Sequence, residues 1–589
     1  MAETVAEPAK PTCLGFGSSA RTPRCSLMTF LSSSLGRGKN TVASTRVGCD
    51  GTLLSHASQR QEYRCDLLCL ALEPSLRNRY NPSVPPLQVV WFKRDLRVYD
   101  HAPLYEASQR GWVVPLYIFE PELWRQPDTS NRQWRFIREC LLELDRELGK
   151  LAGRQSGLIT RVGNAVEVLE QIYQAHGIAA LWVHQEVGNG WTFERDKAVR
   201  RWAKARGIPF HELPQDGIVR GLKSREGWRE HWESVMAQPC VPVPARLQIA
   251  PLRSDRLPTA VDDDECPGAQ MGGRSHGLAL LQSFLAHRVR RYTRGLSSPL
   301  TAPHACSRLS PYLAYGALSL REVVQATRQR LTELREQPNA ARLVSALEAF
   351  ESRLRWRSHF MQRLESLPSI EFEPMHPALA HERTEVDPVL FEAWAQGRTG
   401  YPFVDACMRM LHATGWLNFR MRAMLTAFAC YHLWQPWRAV GLHLARLYVD
   451  YEPGIHWSQI QMQAGTTGIS AFRIYNVVKQ SYDQDPTGAF IRRWVPELRR
   501  VPTVWIHEPY RMPLELQREY GCIIGVDYPA PIVDQETAAR AARQKLMQAY
   551  RTPEAKAISE QILQQHSSRT RREPRPAPKR TQQLELFEL

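Results

Sequence analysis

The strongest constraint on this chain is a change of periodicity near its middle. Between Leu87 and Leu213 five short apolar runs (LQVVWF, VVPLYIF, GLITRVG, ALWVH and PFHEL) alternate with stretches at helical spacing: Gln133–Leu151, Ala165–His176 and Phe193–Arg206. Strands that alternate with helices need crossover connections, and so build a parallel sheet covered on both faces. Residues 86–215 are predicted as an α/β domain of Rossmann or flavodoxin type, which takes ligands at the carboxyl ends of its strands. From Gly277 to about Leu498 strand signals fade. Leu278, Leu281, Phe284 and Leu285 form one apolar stripe, and Leu343, Leu347, Phe350 and Leu354 another, so residues 276–512 are predicted all-α.

The remaining segments read differently. Residues 216–275 carry several Pro and Gly and the acid run Asp262–Glu265, and are expected as an interdomain linker. Residues 513–566 are a C-terminal extension with a helix around Gln535–Tyr550. In Ser567–Arg580 six basic residues face one acid, Glu573, so 567–589 is expected to be a disordered basic tail. Residues 1–85 lack steady periodicity and read as a disordered or mis-started extension, with Met28 an internal start. A targeting peptide is the other reading, against which Glu3, Glu7 and Asp50 count.

A net charge of +16 favours a polyanionic partner, nucleic acid or an anionic membrane surface, over a basic surface that serves solubility alone. The longest apolar run, Ala423–Trp434, has twelve residues and contains His432, against the roughly 20 that span a bilayer. No membrane association is expected. The twelve cysteines include no C-x-x-C pair, so neither a metal cluster nor a disulfide framework is expected. The reading is a reduced, cytoplasmic monomer.

Four blocks are more specific. WFKRDLRVYDHAPL (Trp91–Leu104), SRLSPYLAYGALSLRE (Ser307–Glu322), GRTGYPFVDACMRML (Gly397–Leu411) and FRIYNVVKQSYDQDPTGAFIRRWVPEL (Phe472–Leu498) follow one another in the order of the DNA photolyase/cryptochrome family, which the chain resembles over residues 87–510. Ser307 and Ser310 sit in a turn that opens a helix. Such hydroxyls and free amides suit an anion or an ordinary N-cap. The resemblance implies that Ser307, Arg308, Leu309 and Ser310 grip the FAD pyrophosphate, with Tyr292 nearby and Cys306 where the family has Thr. Arg422 and Asp450 are opposite charges in apolar surroundings, where a buried charge needs a partner. By resemblance they flank the flavin ring, and Arg357 and Glu452 also bind the cofactor. Trp356 and Trp416 would line the substrate cavity, an aromatic wall replacing the stacking that a flipped base gives up. Arg420 and Arg473 align with cations that contact DNA phosphate.

Several positions depart from the family. Arg353 stands where a substrate-binding Glu is usual, and Phe419 replaces a lesion-side Asn. His456 falls opposite flavin N5, and Ile460 takes the place of the innermost Trp of the electron-transfer chain. Trp437 matches the middle member and Trp394 is expected as the outer one, with Trp457 the nearest replacement for the inner one. His184–Asp196 resembles the segment that meets a folate or deazaflavin antenna. Gln583, Leu584, Leu586 and Phe587 resemble the Q-L-x-L-F peptide that docks on the bacterial DNA sliding clamp.

The leading expectation is a blue-light, FAD-dependent deoxyribodipyrimidine photolyase acting on UV-damaged DNA. A cyclobutane dimer is the first-choice lesion, although Arg353 and Phe419 count against it. The (6-4) product would call for a lesion-side His where Asn418 stands nearby. A cryptochrome-type photoreceptor is the alternative, and a flavoprotein with neither activity the third reading.

Overall fold

The computed structural model describes residues 87–468 and 472–566, all within one compact unit. Strands β1 (Leu87–Phe92), β2 (Trp112–Phe119), β3 (Ile159–Val162), β4 (Ala180–His184) and β5 (Phe210–Leu213) pair in parallel in the order β3-β2-β1-β4-β5. The strands alternate with α1 (Ala102–Ser108), α2 (Asn131–Leu151), α3 (Ala165–His176) and α4 (Gly190–Ala205). Side chains in a strand alternate sides, and β1 shows why both faces are apolar. Leu87, Val89 and Trp91 join Val168, Leu169 and Val199 in one layer, while Val90 and Phe92 join Trp134 and Leu144 in the other. The chain reverses direction across the sheet at β1, so the crevice beyond the carboxyl ends of β1 and β4 is a topological switch point. The expected α/β class is thus the observed one.

The stretch read as a linker contains a helix, α5 (Trp228–Ala237), in which Trp228, Trp232 and Met236 recur every four residues and are buried. Trp232 Nε1 donates to Ser358 Oγ at 3.0 Å, which anchors the crossing to the helical region. That region comprises α6 (Arg274–Ala286), α7 (Leu320–Arg335), α8 (Ala341–Ser366), α9 (Pro388–Ala395), α10 (Pro402–Thr414), α11 (Phe419–Ala427), α12 (Trp437–Leu447), α13 (Pro453–Ala464) and α14 (Val477–Gln484). Then come α15 (Gln535–Ala549) and α16 (Pro553–His566). Leu347, Phe350 and Leu354 of the predicted stripe are buried in α8. None of the described helices is long and apolar enough to cross a membrane.

Two interlocks fix the site region. Helix α11 runs into a π-helical turn, Phe428–His432, against which Ala542 and Leu546 of α15 pack through Tyr431. Helix α13 lies against α8 so closely that a Cβ on Gly454 would sit 2.6 Å from Met361 Cα. Gly454→Ala must push these backbones apart, and such overpacking costs about 1–3 kcal/mol. We expect a lower unfolding midpoint in denaturant at unchanged m-value; an unchanged midpoint would show that the two helices give way freely.

Candidate functional site

Arg422 of α11 is the electrostatic centre of the helical region. Its Nη2 donates to Asp450 Oδ2 at 2.8 Å, its Nε donates to Leu417 O at 2.7 Å, and its guanidinium lies 4.0 Å over the Tyr448 ring. Burial opposes the charge on Arg422, but Asp450 outweighs it and raises the pKa. The other oxygen of Asp450, Oδ1, is buried with no hydrogen bond, as are Tyr448 Oη and Asn418 Oδ1. Arg308 is within electrostatic reach of both members of the pair. Its guanidinium stacks 3.8 Å over Trp416, its Nε donates to Gln270 Oε1 at 3.0 Å, and its carbonyl accepts from Gln270 Nε2 at 2.9 Å. These contacts hold Arg308 at a left-handed φ of 63°, which costs a non-glycine residue on the order of 1 kcal/mol. Burial pushes the Arg308 pKa down to about 10. The region therefore holds two guanidiniums for one carboxylate, ringed by unmatched hydrogen-bonding atoms. Buried polar groups are rarely left so, and the set suits a large polar ligand with an anionic part.

The other residues expected at the cofactor have contacts of their own. Arg357 of α8 donates from Nη2 to Glu452 Oε2 at 2.7 Å and to Leu313 O at 2.9 Å. Tyr292 is buried edge-on to Phe284 and Phe350. Ser310 begins a five-residue helix capped by Leu309 and not by the Ser307 hydroxyl, so the N-cap expected at the serines is absent.

The aromatic groups form a separate line. His456 Nε2 donates to Gly441 O at 2.8 Å, and burial pushes the imidazole pKa down to about 4, leaving it neutral near pH 7. Its ring meets Tyr451 and Trp457 edge-on, each at 5.1 Å, and Trp457 meets Trp437 at 5.9 Å. Only glycine fits at 441, where a Cβ would fall 2.5 Å from the Trp457 ring. Trp394 departs from expectation: it is fully buried and packs on Phe391 and His443, so it offers no contact with solvent.

On the side expected to meet DNA, Trp356 is half-buried against His359 and Phe360, and Arg353 is exposed. Phe419 is 55% exposed at the first residue of α11. Arg420 and Arg473 are half-buried, and both lie near enough to Tyr475 to oppose the rise that burial imposes on its hydroxyl pKa. Trp416, expected on the cavity wall, is buried beneath Arg308. Gln583–Phe587 lies outside the described residues.

Comparison with known proteins decides the kinship. The family described as the FAD binding domain of DNA photolyase matches residues 350–548, and the DNA photolyase family matches residues 88–221. A deoxyribodipyrimidine photo-lyase of Streptomyces griseus is 30% identical over 77% of this chain and 98% of its own length. The chain belongs to the DNA photolyase/cryptochrome family. A cryptochrome DASH of Synechocystis is 28% identical over 78% of the chain and 98% of its own length. The crystal structure of a bacterial class III photolyase from Agrobacterium tumefaciens superposes with a TM-score of 0.70 at 25% identity, covering 81% of this chain and all of that one. An FAD-binding domain is present, and the residue set fits FAD: the Arg308 guanidinium could face an anionic group, while the unpaired Asp450 Oδ1 and Asn418 Oδ1 are open to accept hydrogen bonds.

Two clusters stand in the α/β domain, the first missed by the sequence reading and the second centred on the His184–Asp196 segment that it singled out. Asp95 Oδ2 accepts from His101 Nε2 at 3.0 Å and from His184 Nδ1 at 2.8 Å, all three residues being buried. The three are near enough to hold a metal ion. However, His101 Nδ1 accepts the Leu104 amide, so its Nε2 carries the proton and is spent on Asp95. The cluster ties β1, α1 and β4 together at the switch point. Beside it Arg195 pairs with Glu120, Glu186 and Asp196, while Lys93 pairs with Asp196. Burial pushes Glu120 up to about 7. These charges border a cavity also lined by Trp91, Tyr117, Trp124, Asn189 and Tyr451.

Glu371 ties the helical region to this crevice by accepting the Gly190 amide at 2.7 Å at the start of α4, and burial pushes its pKa up to about 7. A raised carboxyl pKa means the folded state keeps a proton that the unfolded state releases. The stability is present below about pH 4.5 and is lost as pH rises through 7. Glu371→Gln keeps an accepting oxygen without the charge. Its stability relative to the parent should therefore climb between pH 5 and 8 by about 1–3 kcal/mol. A pH-independent difference would place the carboxyl in ordinary solvent.

Proposed function

We propose that this protein is a light-driven DNA photolyase that splits UV-induced pyrimidine dimers, with the cyclobutane dimer as its first substrate. The observation that supports this reading is the run of α11 from solvent to a buried carboxylate. Exposed Phe419 and half-buried Arg420 and Arg422 lie within a single turn, and Arg422 reaches inward to buried Asp450. Bound FAD, reduced and excited by blue light, supplies the electron that the dimer takes up and returns. The chain's own residues position and shield. Arg422, held by Asp450, would keep a cation beside the flavin ring, where an oriented charge stabilises developing negative charge without reorganisation. Neutral His456 offers its Nδ1 as an acceptor, since Nε2 is spent on Gly441. Trp356 would stack on the extruded base, and Arg420 and Arg473 would hold its phosphates. Trp457 and Trp437 would resupply electrons in place of the missing inner Trp, and the crevice cavity would take a second, light-gathering chromophore.

A cryptochrome-type photoreceptor is the second reading, favoured by Arg353 and Phe419 at positions where photolyases carry lesion-binding Glu and Asn. The test is repair itself. Pre-reduced protein is incubated with oligonucleotides carrying one cyclobutane dimer or one (6-4) product, in blue light and in darkness. Light-dependent loss of the cyclobutane dimer is expected; flavin bleaching with no repair of either lesion would favour the photoreceptor.

The sequence Gln583-Leu584-Glu585-Leu586-Phe587 supports a further partner, the bacterial sliding clamp, whose apolar pocket would take Leu586 and Phe587. The full-length chain should be retained on immobilised clamp and Leu586→Ala/Phe587→Ala released. Equal retention of both would remove the clamp as partner.

A further inference from the structure

From Cys266 to Arg321 the chain contains seven arginines and no carboxylate. Within this stretch the turn Arg288–Arg291 runs into a short helix, Tyr292–Gly295. Val289, Tyr292 and Gly295 point inward and are buried, while Arg290, Arg291 and Arg294 are exposed. The inward side is tight, since a Cβ on Gly295 would fall 2.6 Å from Ala305 Cβ. The outward side therefore carries three exposed arginines on an anchored backbone.

The row is joined to Phe419. Asn418 Nδ2 donates to Leu296 O at 3.1 Å and to Ser297 O at 2.7 Å, so the residue before Phe419 clamps the segment just beyond Arg294. Ser298 Oγ donates to Gln484 O at 2.6 Å and closes the other side. Carboxylates on adjoining helices are already engaged. Glu348 and Glu351 of α8 pair with Arg335 and Arg328 of α7, Asp483 pairs with Lys479, and Asp485 accepts the Phe490 and Ile491 amides. None of the three arginines forms an ion pair among the described residues.

We propose that Arg290, Arg291, Arg294 and Phe419 form a docking ridge for DNA, with the guanidiniums on successive backbone phosphates and the exposed ring against a base. This rests on the reading of the protein as one that acts on DNA and names the surface that would hold it. Clustered cations with no unengaged acid beside them displace condensed counterions from a polyanion, and an exposed aromatic at a pinned helix start gives a base a ring to stack on. A surface kept only for solubility needs neither the rigid backbone nor the ring.

The test is binding of duplex DNA, undamaged and with a single dimer, across a salt series, with flavin occupancy as the check on folding. Every phosphate that is no longer neutralised flattens the plot of log K against log salt by about 0.9. Arg290→Gln/Arg291→Gln/Arg294→Gln should flatten it by about 2–3 for both duplexes. Phe419→Ala should weaken binding about tenfold with the slope unchanged. If the parent binds with a steep slope and the triple variant keeps it, the ridge is wrong while the DNA reading stands. If Phe419→Ala binds like the parent, the aromatic half falls. If the parent binds neither duplex, both the ridge and the photolyase reading fail.

Discussion

Glu452 joins the two halves of this protein through one carboxylate. Arg357 reaches its Oε2 from α8 at 2.7 Å, and Arg94 lies 3.8 Å from the same oxygen while donating to Tyr451 O at 2.6 Å. Arg94 closely follows β1, so the central strand of the sheet grips the loop that precedes α13. Removing one member of a buried ion pair strands the other's charge, at about 3–5 kcal/mol. The loop from Asp450 to Glu452 thus cannot move without disturbing both the sheet and α8. That same loop carries Asp450, the partner of Arg422, so the cofactor site inherits its position from an interdomain contact.

Close packing completes what the charges begin. Gly454 lets α13 lie on the α8 backbone, and Gly441 lets the Trp457 ring lie on α12. The Gly441 carbonyl also fixes the His456 tautomer, so a single glycine sets the neighbours of two aromatic groups at the candidate site. Neither glycine has a positive φ. They are required by space alone, and a larger residue at either would displace a ring or a helix before it altered any charge.

The division into a parallel α/β sheet and a helical region was legible because short continuous apolar runs and a period of 3.6 are local properties of sequence. Helix α5 was also legible in the spacing of Trp228, Trp232 and Met236, but the prolines and acids around it dominated the reading. The Asp95–His101–His184 cluster was not legible, since its members are contributed by the loop after β1, the start of α1 and the end of β4 and meet only once the sheet forms. The burial of Trp394, expected as the outer member of the electron-transfer chain, was not legible either, because burial is set by the fold around it, and Phe391 and His443 pack on the ring. The Arg422–Asp450 pairing was anticipated because opposite charges in apolar surroundings, one on a helix and one on the loop before the next, have few other partners.

The distribution of charge follows from the same rule. Inside the molecule many cations are matched: Arg195 by three acids, Arg132 by Asp264, Arg274 by Glu322. The net charge of +16 must then reside largely on the surface and in segments where acids are missing. The run from Cys266 to Arg321 is such a segment, and it leads from the exposed arginines at 290–294 to half-buried Arg308, whose side chain is held by Gln270 and Trp416. A polyanion outside and an anionic cofactor inside would meet the same stretch of chain from opposite sides. Both would be held by arginines that outnumber the carboxylates near them, one set in solvent and the other half-buried.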